Sequence, residues 1–197
     1  QTVINHNRAD GNGGAVALVI QSGRFGCVSI SVQSGCSVAN NSAGHNGGGV
    51  SVDSSASYVD KISLTGVGDS SVCSERTGTT LACSEPFGSY GGKFDGNKAS
   101  DGGAVSITAS SEDPPKMTLR GLTMTRNEAS GDESRLGNGG AVMISNTKNL
   151  AIECCSFDGN KARADGGACW VSRSGLTVAS SSFSNSSAGA SGGAVLI

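Results

Sequence analysis

The sequence predicts an all-β protein, a parallel β-helix of about six coils with about 26 residues and three short strands in each. A Gly-Gly pair followed by a small and then an apolar residue occurs six times in 197 residues, and a second motif precedes each pair. Apolar residues also alternate with polar or small ones over short stretches, as in half-buried strands. The first glycines of the six pairs are Gly13, Gly47, Gly102, Gly139, Gly166 and Gly192.

The motif before each Gly-Gly pair holds an apolar residue, an asparagine three positions later and an alanine two positions after that. In stacked coils, equivalent side chains lie one strand spacing, about 4.8 Å, apart. Stacked asparagines can pass amide hydrogen bonds from one coil to the next. We therefore predict an internal amide ladder that Ser186 interrupts in the sixth coil and that comprises Asn7, Asn41, Asn97, Asn127 and Asn160.

Three alternating stretches in each unit predict its three strands. In the fourth unit one strand follows the glycine pair, with Val142 and Ile144 inward, and the next holds Leu150 and Ile152. The third strand of a unit ends at the aromatic position, as at Phe157. Gly, Asn, Asp and Ser separate these stretches and favour turns.

The whole chain, 1–197, is predicted to be a single β-helix segment with one large interruption. Residues 68–93 break the repeat and form an inserted loop, in which Cys73 and Cys83 are candidates for a disulfide. The repeat pattern is cut at both ends, and solenoids need polar caps on their terminal coils. We therefore expect a longer rod, or coils that stack end to end on neighbours.

Seven cysteines in a small Gly-rich and Ser-rich chain favour an oxidising, extracellular compartment. Cys27 and Cys36 are candidates for a local disulfide, and Cys155 and Cys169 for one across a coil, which leaves Cys154 as the odd, outward thiol. The alternative is a cytosolic protein with buried free thiols. Two sequons at equivalent repeat positions make Asn40 and Asn185 candidate N-glycosylation sites in a secreted protein.

Charge and composition lower the expectation for several function classes. The net charge is -2 at pH 7, so no basic field favours nucleic acid. The longest apolar run, residues 15–20, is too short for membrane insertion by this segment. His6 and His45 lack ligand spacing, and no acid cluster faces outward, so we expect no metal, cofactor or catalytic residue.

An apolar strip is expected on the outer face of the last three coils. The alternation after the glycine pair points Met143, Trp170 and Leu196 outward. Exposed apolar strips mark contact surfaces, so these residues are candidates to meet another chain or a glycan. The alternative is that an insertion or a neighbouring domain covers them.

Two copies of the repeat carry a family resemblance. Phe94 and Asn97 precede Gly102-Gly103-Ala104-Val105, and Phe157 and Asn160 precede Gly166-Gly167-Ala168. These paired motifs resemble the polymorphic outer membrane protein repeat of chlamydial autotransporter passengers. The resemblance implies a right-handed β-helix and a secreted, surface-displayed rod. Departures are Ile4, Val38 and Met124 at the Phe position, Ser186 at the Asn position and Gly49 at the Ala position.

These observations predict a non-catalytic extracellular or cell-surface rod with a structural or adhesive role. Its expected partners are other protein chains, through self-assembly or binding at a cell surface, and glycans. The alternative is a fragment of a carbohydrate-active β-helix enzyme, a polysaccharide lyase or hydrolase. Such an enzyme needs paired acidic groups on neighbouring strands. Asp95 and Asp158 share an outward column, but Thr125 separates them by one coil.

Overall fold

The computed structural model describes residues 2–21, 24–33, 35–54, 58–66, 91–110 and 113–197, and every regular element in them is a β-strand. Most of the inserted loop expected at 68–93, including Cys73 and Cys83, lies outside the described residues. Its predicted end is too late, because Gly92 and Lys93 already belong to a strand of the helix. No helix in the described ranges is long and apolar enough to cross a lipid bilayer.

Two six-stranded sheets lie on either side of the asparagine position. Sheet 1 contains the strands that hold the aromatic position as their second-to-last residue: β1 (Val3–Asn5), β6 (Ser37–Ala39), β11 (Gly92–Asp95), β15 (Leu122–Thr125), β19 (Ser156–Asp158) and β23 (Ser182–Ser184). Sheet 2 contains two-residue strands that follow the asparagine: β2 (Arg8–Ala9), β7 (Ser42–Ala43), β12 (Lys98–Ala99), β16 (Glu128–Ala129), β20 (Lys161–Ala162) and β24 (Ser187–Ala188).

Two further long sheets complete each coil. Sheet 3 follows the glycine pairs: β3 (Val16–Val19), β8 (Val50–Ser54), β13 (Val105–Ala109), β17 (Val142–Ser145), β21 (Cys169–Ser172) and β25 (Val195–Leu196). Sheet 4 has five strands: β5 (Val28–Ser31), β10 (Lys61–Thr65), β14 (Lys116–Arg120), β18 (Asn149–Glu153) and β22 (Gly175–Ala179). A small fifth sheet pairs β4 (Arg24–Phe25) with β9 (Tyr58–Val59).

Equivalent residues of successive coils face each other in parallel register. Met124 pairs with Phe157, and Phe157 with Phe183. The predicted parallel β-helix is confirmed, with one difference: coils have a fourth strand, in sheet 2. It forms because the parallel bonding continues past the corner, where the Glu128 N–H donates to the Asn97 carbonyl at 2.9 Å.

The core is a column of apolar side chains enclosed by sheets 1, 3 and 4. Phe94, Met124 and Phe157 from sheet 1 are fully buried, and Ile152 from sheet 4 packs in the same cluster. The Phe157 and Phe183 rings stack in parallel with centroids 4.7 Å apart. Since equivalent residues stack directly, each coil buries its apolar side chains mainly against the coils on either side.

The glycine pair serves two separate geometric needs at the corner between sheets 2 and 3. The first glycine is left-handed in all six coils, with φ between 60° and 67°. The second allows close approach between coils: a Cβ on Gly103 would lie 2.2 Å from the Gly140 carbonyl oxygen of the next coil. The left-handed conformation favours glycine, and a Cβ on Gly102 would also lie 2.5 Å from the Val105 carbonyl oxygen, so neither position in this coil has room for a side chain.

Candidate functional site

The corner between sheets 1 and 2 is built on the amide ladder. The backbone N–H and the side-chain Nδ2 of Asn127 both donate to Asn160 Oδ1, at 3.1 and 3.0 Å. Asn127 Nδ2 also donates to the Phe94 carbonyl of the preceding coil at 3.1 Å. In turn, Asn127 Oδ1 accepts both bonds from Asn97, each at 3.0 Å. Every polar atom of this buried amide is thereby satisfied.

The ladder runs through five coils and stops before the sixth. Asn160 Nδ2 donates back to the Met124 carbonyl at 2.9 Å. In the next coil, the Ser186 hydroxyl donates instead to the Ser184 carbonyl at 3.2 Å. The rungs, in order, are Asn7, Asn41, Asn97, Asn127 and Asn160.

A left-handed residue occupies the position directly before each rung, and the sequence analysis missed this column. Its φ values lie between 50° and 63° although four of its six residues are not glycine. The frequent Gly and Asn at this position were the available signal, because these residues tolerate that conformation best. The column comprises His6, Asn40, Gly96, Arg126, Gly159 and Asn185.

The two sequon asparagines lie in this corner column. Asn40 and Asn185 are both exposed. Asn185 Nδ2 donates to Asp158 Oδ1 of the preceding coil at 2.7 Å. Glycosylation at the two positions stays a prediction.

The cysteine pairs within the described residues differ from those expected. Cys36, Cys155 and Cys169 carry free thiols, so the expected pairs Cys27–Cys36 and Cys155–Cys169 are wrong. The Cys155 thiol points back along its own corner and donates to the Glu153 carbonyl at 3.2 Å. Burial raises the pKa of Cys155 to about 12, which keeps this thiol protonated and unreactive near neutral pH.

The remaining cysteines follow a different pattern. The Cys36 sulfur accepts a hydrogen bond from the Thr2 N–H at 3.4 Å. Cys27 and Cys154 each form a disulfide, so Cys154 is not the odd thiol. The expected Cys73–Cys83 pair lies outside the described residues.

The expected apolar strip is aligned and only partly exposed. Met143, Trp170 and Leu196 are register partners on sheet 3. Met143 is 9% exposed, and Trp170 and Leu196 are half-buried. Period-two alternation sets the face on which a side chain lies but not how deeply neighbours cover it, and a contact surface at this strip stays a prediction.

The outward acids are engaged by neighbouring coils. Partial burial raises the pKa of Asp95, but hydrogen bonds, above all from Arg126, outweigh this and hold it below its usual value. Arg126 Nε donates to Asp95 Oδ1 at 3.0 Å. Hydrogen bonds from Ser184 and Asn185 likewise lower the pKa of Asp158. Both carboxyls are thus ionised near neutral pH, and neither is suited to act as a general acid.

Two other carboxylates, those of Asp101 and Asp132, accept hydrogen bonds that fix the loop at residues 131–137. Asp132 accepts from the Ser100 hydroxyl and the Ser134 N–H, both at 2.7 Å, and the Ser100 bond is the main cause of its lowered pKa. Asp101 accepts from the Asn138 N–H at 2.7 Å. Arg135 lies 3.8 Å from Asp101 and 3.5 Å from Asp132. The loop is therefore tied to the coil below it.

A polar groove runs beside this loop across the fourth, fifth and sixth coils. It has a volume of about 350 Å³ and follows sheet 2, not the sheet 3 face expected to hold a contact surface. Across the described part of the chain, no three His, Cys, Asp or Glu side chains are grouped so that they could hold a metal ion. The groove is lined on its outer rows by Glu128, Ser130, Lys161, Arg163, Ser187 and Gly189.

The register, the internal ladder and the repeated glycine corner define a repeat protein of the parallel β-helix class. Residues 155–172 match the Chlamydia polymorphic membrane protein repeat. That segment spans one ladder rung, Asn160, one glycine pair and the strand of Trp170. The chain carries a repeat of this surface-protein type, which confirms the resemblance there. No curated protein and no solved structure gives a significant match.

Proposed function

We propose that the chain is a segment of a non-catalytic rod displayed at the cell surface, with an adhesive or structural role. The observation that carries the proposal is the continuous register of sheets 1, 2 and 3 through six coils, with the ladder inside. Such stacking makes a stiff body whose length grows by about 4.8 Å per coil. The surface-protein repeat at residues 155–172 supports the location.

The engaged acids favour this proposal over a carbohydrate-active enzyme. A hydrolase or lyase needs a proton donor or base that meets its substrate. Asp95 is occupied by Arg126, and Asp158 by groups of the next coil. A second rod could bind to this surface while Asp95 and Asp158 keep their present hydrogen bonds, so a non-catalytic role does not require either carboxylate to be free.

The strip Met143–Trp170–Leu196 is our candidate for a lateral contact with a second chain or a cell-surface partner. Trp170 is half-buried and lies in register between Met143 and Leu196, so part of an aromatic side chain stays accessible beside apolar neighbours. Large aromatic side chains of this kind dominate protein interfaces.

The test measures attachment of cells to wells coated with the purified chain, with Trp170→Ala beside wild type. The control is Phe25→Ala, which removes an exposed aromatic ring from the small fifth sheet. We expect attachment to wild type and to the control and weaker attachment to Trp170→Ala, with thermal unfolding followed for all three. Attachment no better than to uncoated wells would contradict the adhesive role. Release of unsaturated or reducing sugars from a polysaccharide panel would favour the enzyme instead.

A further inference from the structure

The groove on sheet 2 is shaped by side-chain size. Two outward rows cross coils four to six: one holds the first residue of each sheet 2 strand, and the other holds the residue just after each strand ends. In the middle coil the rows hold the long cations Lys161 and Arg163. In the sixth coil the same rows hold Ser187 and Gly189, so the surface drops away beside the cations.

Lys161 and Arg163 form no ion pair with any described residue. Glu128 is the register neighbour of Lys161, but its carboxylate lies 3.3 Å from Lys98 on the other side. Of the described residues that line the groove, the one acidic side chain, Glu128, is therefore paired with Lys98 and not with Lys161. Two exposed positive charges remain unmatched at the groove, in a chain whose net charge is -2.

The loop at residues 131–137 holds the stem of Arg163. A Cβ on Gly137 would lie 2.7 Å from Arg163 Cβ, and one on Gly131 would lie 3.0 Å from Arg163 Cδ. The loop is anchored where the Ala164 N–H donates to the Gly137 carbonyl at 3.1 Å. Contact on the aliphatic stem restricts the side chain of Arg163, which lines the groove, and this reduces the entropy lost on binding an anion.

We propose that this groove binds an acidic glycan, with a sugar carboxylate or sulfate between Lys161 and Arg163. Arg163 follows Lys161 by two residues, just past the end of β20, so their Cα atoms lie at most about 7 Å apart and a single anionic group can reach both side chains. A volume of about 350 Å³ suits one or two sugar rings. Ser130 and Ser187 line the groove beside the cations, and although the Ser130 hydroxyl donates to the Ala99 carbonyl at 3.2 Å, both hydroxyl oxygens can accept from the hydroxyl groups of a sugar.

Calorimetric titration with a hyaluronan hexasaccharide, which carries one carboxylate per disaccharide, tests the inference. A neutral chitin hexasaccharide and hexaglutamate are the comparison ligands. We expect saturable binding of the hyaluronan fragment that weakens as salt is raised, since exposed charges are screened. We expect no binding of the neutral sugar and weaker binding of the peptide.

The variant is Lys161→Gln with Arg163→Gln, and the matched control is Lys116→Gln with Arg173→Gln. The control removes the same charge from two exposed cations that also lack ion pairs among the described residues and lie away from the groove. Loss of the charge-assisted bonds should weaken binding about tenfold or more in the groove variant and by less than about twofold in the control. Lys161→Arg with Arg163→Lys, which keeps the charge, should retain binding.

Three results would overturn the inference: no binding to wild type, equal loss in both double variants, or tighter binding of hexaglutamate. The inference rests on the proposed adhesive function for its setting, and the two can fail separately. If cells attach equally well in the presence of excess hyaluronan fragment and to the groove variant, the adhesive function is supported and the groove is not the site of adhesion. If the chain binds the sugar but cells do not attach to it, the groove is supported as a glycan site and the adhesive function is rejected.

Discussion

The middle coils and the sixth coil carry the same repeat, but of these, in the part of the chain that the structure describes, only the middle coils contact a following coil. Asn127 in the fourth coil is fully buried and bonded on both sides, whereas its equivalent Ser186 bonds only within its own coil. A Cβ on Gly103 would meet backbone at 2.2 Å, whereas on Gly193 the nearest atom, a carbonyl oxygen of Ser186, is 4.0 Å away. Identical residues therefore face different constraints in different coils.

This difference shows that the repeat motif acts between coils. The ladder asparagine and the second glycine each contact the neighbouring coil, so their effect on stability depends on the neighbour being present. Stability in solenoids is approximately a sum of each repeat's own stability and its interfaces with the adjacent repeats. Variants at equivalent positions of the middle and sixth coils measure the interface part directly.

The largest effect is expected for Gly103→Ala. The added methyl would overlap the Gly140 carbonyl and the Glu128 N–H of the next coil and force the two coils apart. We expect a loss of about 4 kcal/mol in the free energy of unfolding, at the upper end for overpacking. Denaturant titration measures this loss, and Gly193→Ala, with open space at the equivalent position, should lose under about 1 kcal/mol. Equal losses would show that the glycine is needed for its own turn.

Next in size is Asn127→Ala. It leaves two donors of Asn97 and the Phe94 carbonyl without partners inside the rod. Orphaned buried polar groups make a loss of about 2 to 3 kcal/mol the expected result. The matched change Asn7→Ala removes an exposed rung and should cost under about 1 kcal/mol. A similar cost for both, measured by denaturant titration, would argue that the ladder stabilises each coil separately.

A gain is expected where the ladder stops. Ser186→Asn offers Asn160 an acceptor in the sixth coil, equivalent to the one that Asn160 offers Asn127. We expect a gain of about 1 kcal/mol, the net value of a typical hydrogen bond. Thermal unfolding compares this variant with Ser186→Ala, which adds no acceptor and should not stabilise. A neutral or destabilising asparagine would mean that the sixth coil does not position this side chain for a rung.

The smallest effect belongs to the outer side of the ladder corner. Arg126→Gln removes the cation beside Asp95 but not the Thr125 hydroxyl bond. Because Asp95 has a lowered pKa in the folded state, its ionisation stabilises the fold above its ordinary pKa. This stability is lost as pH falls through the folded-state pKa.

We expect Arg126→Gln to lower stability only slightly at pH 7, since the arginine is largely exposed and its charge is screened by solvent. The cost should disappear in acid, where Asp95 is protonated in both proteins. Asp158→Asn is the comparison in the next pair of coils, where uncharged Ser184 and Asn185 are the partners. A cost for Arg126→Gln that persists unchanged in acid would show that the arginine acts by packing alone.

The repeated columns could be predicted from the sequence because stacking imposes the same environment at the same position of each coil. The spacing of Phe157, Asn160 and Gly166 identifies both the corner and the rung. The left-handed column before the rung was harder to find, because Arg126 occupies the same conformation as Gly96. Because several residue types adopt this backbone conformation, the column has no single residue type by which it could be recognised in one sequence.

The groove and the thiol states depend on distances that no local pattern encodes. In the sequence, Lys161 and Arg163 are two ordinary surface cations. The structure shows that small residues of the next coil and the loop at 131–137 lie beside them and form a groove. Cys155 and Cys169 are both inward and in one coil, yet each remains a free thiol.

The sequence alone determined the parallel β-helix, the number of coils and the residues of the ladder, because each follows from a motif repeated at a set spacing. Only the tertiary structure decided the burial of Met143, the free thiols and the groove around Lys161. These depend on how turns and insertions of different length lie against the neighbouring coils. Their contacts join residues that are about 26 or more positions apart in the chain and differ from coil to coil.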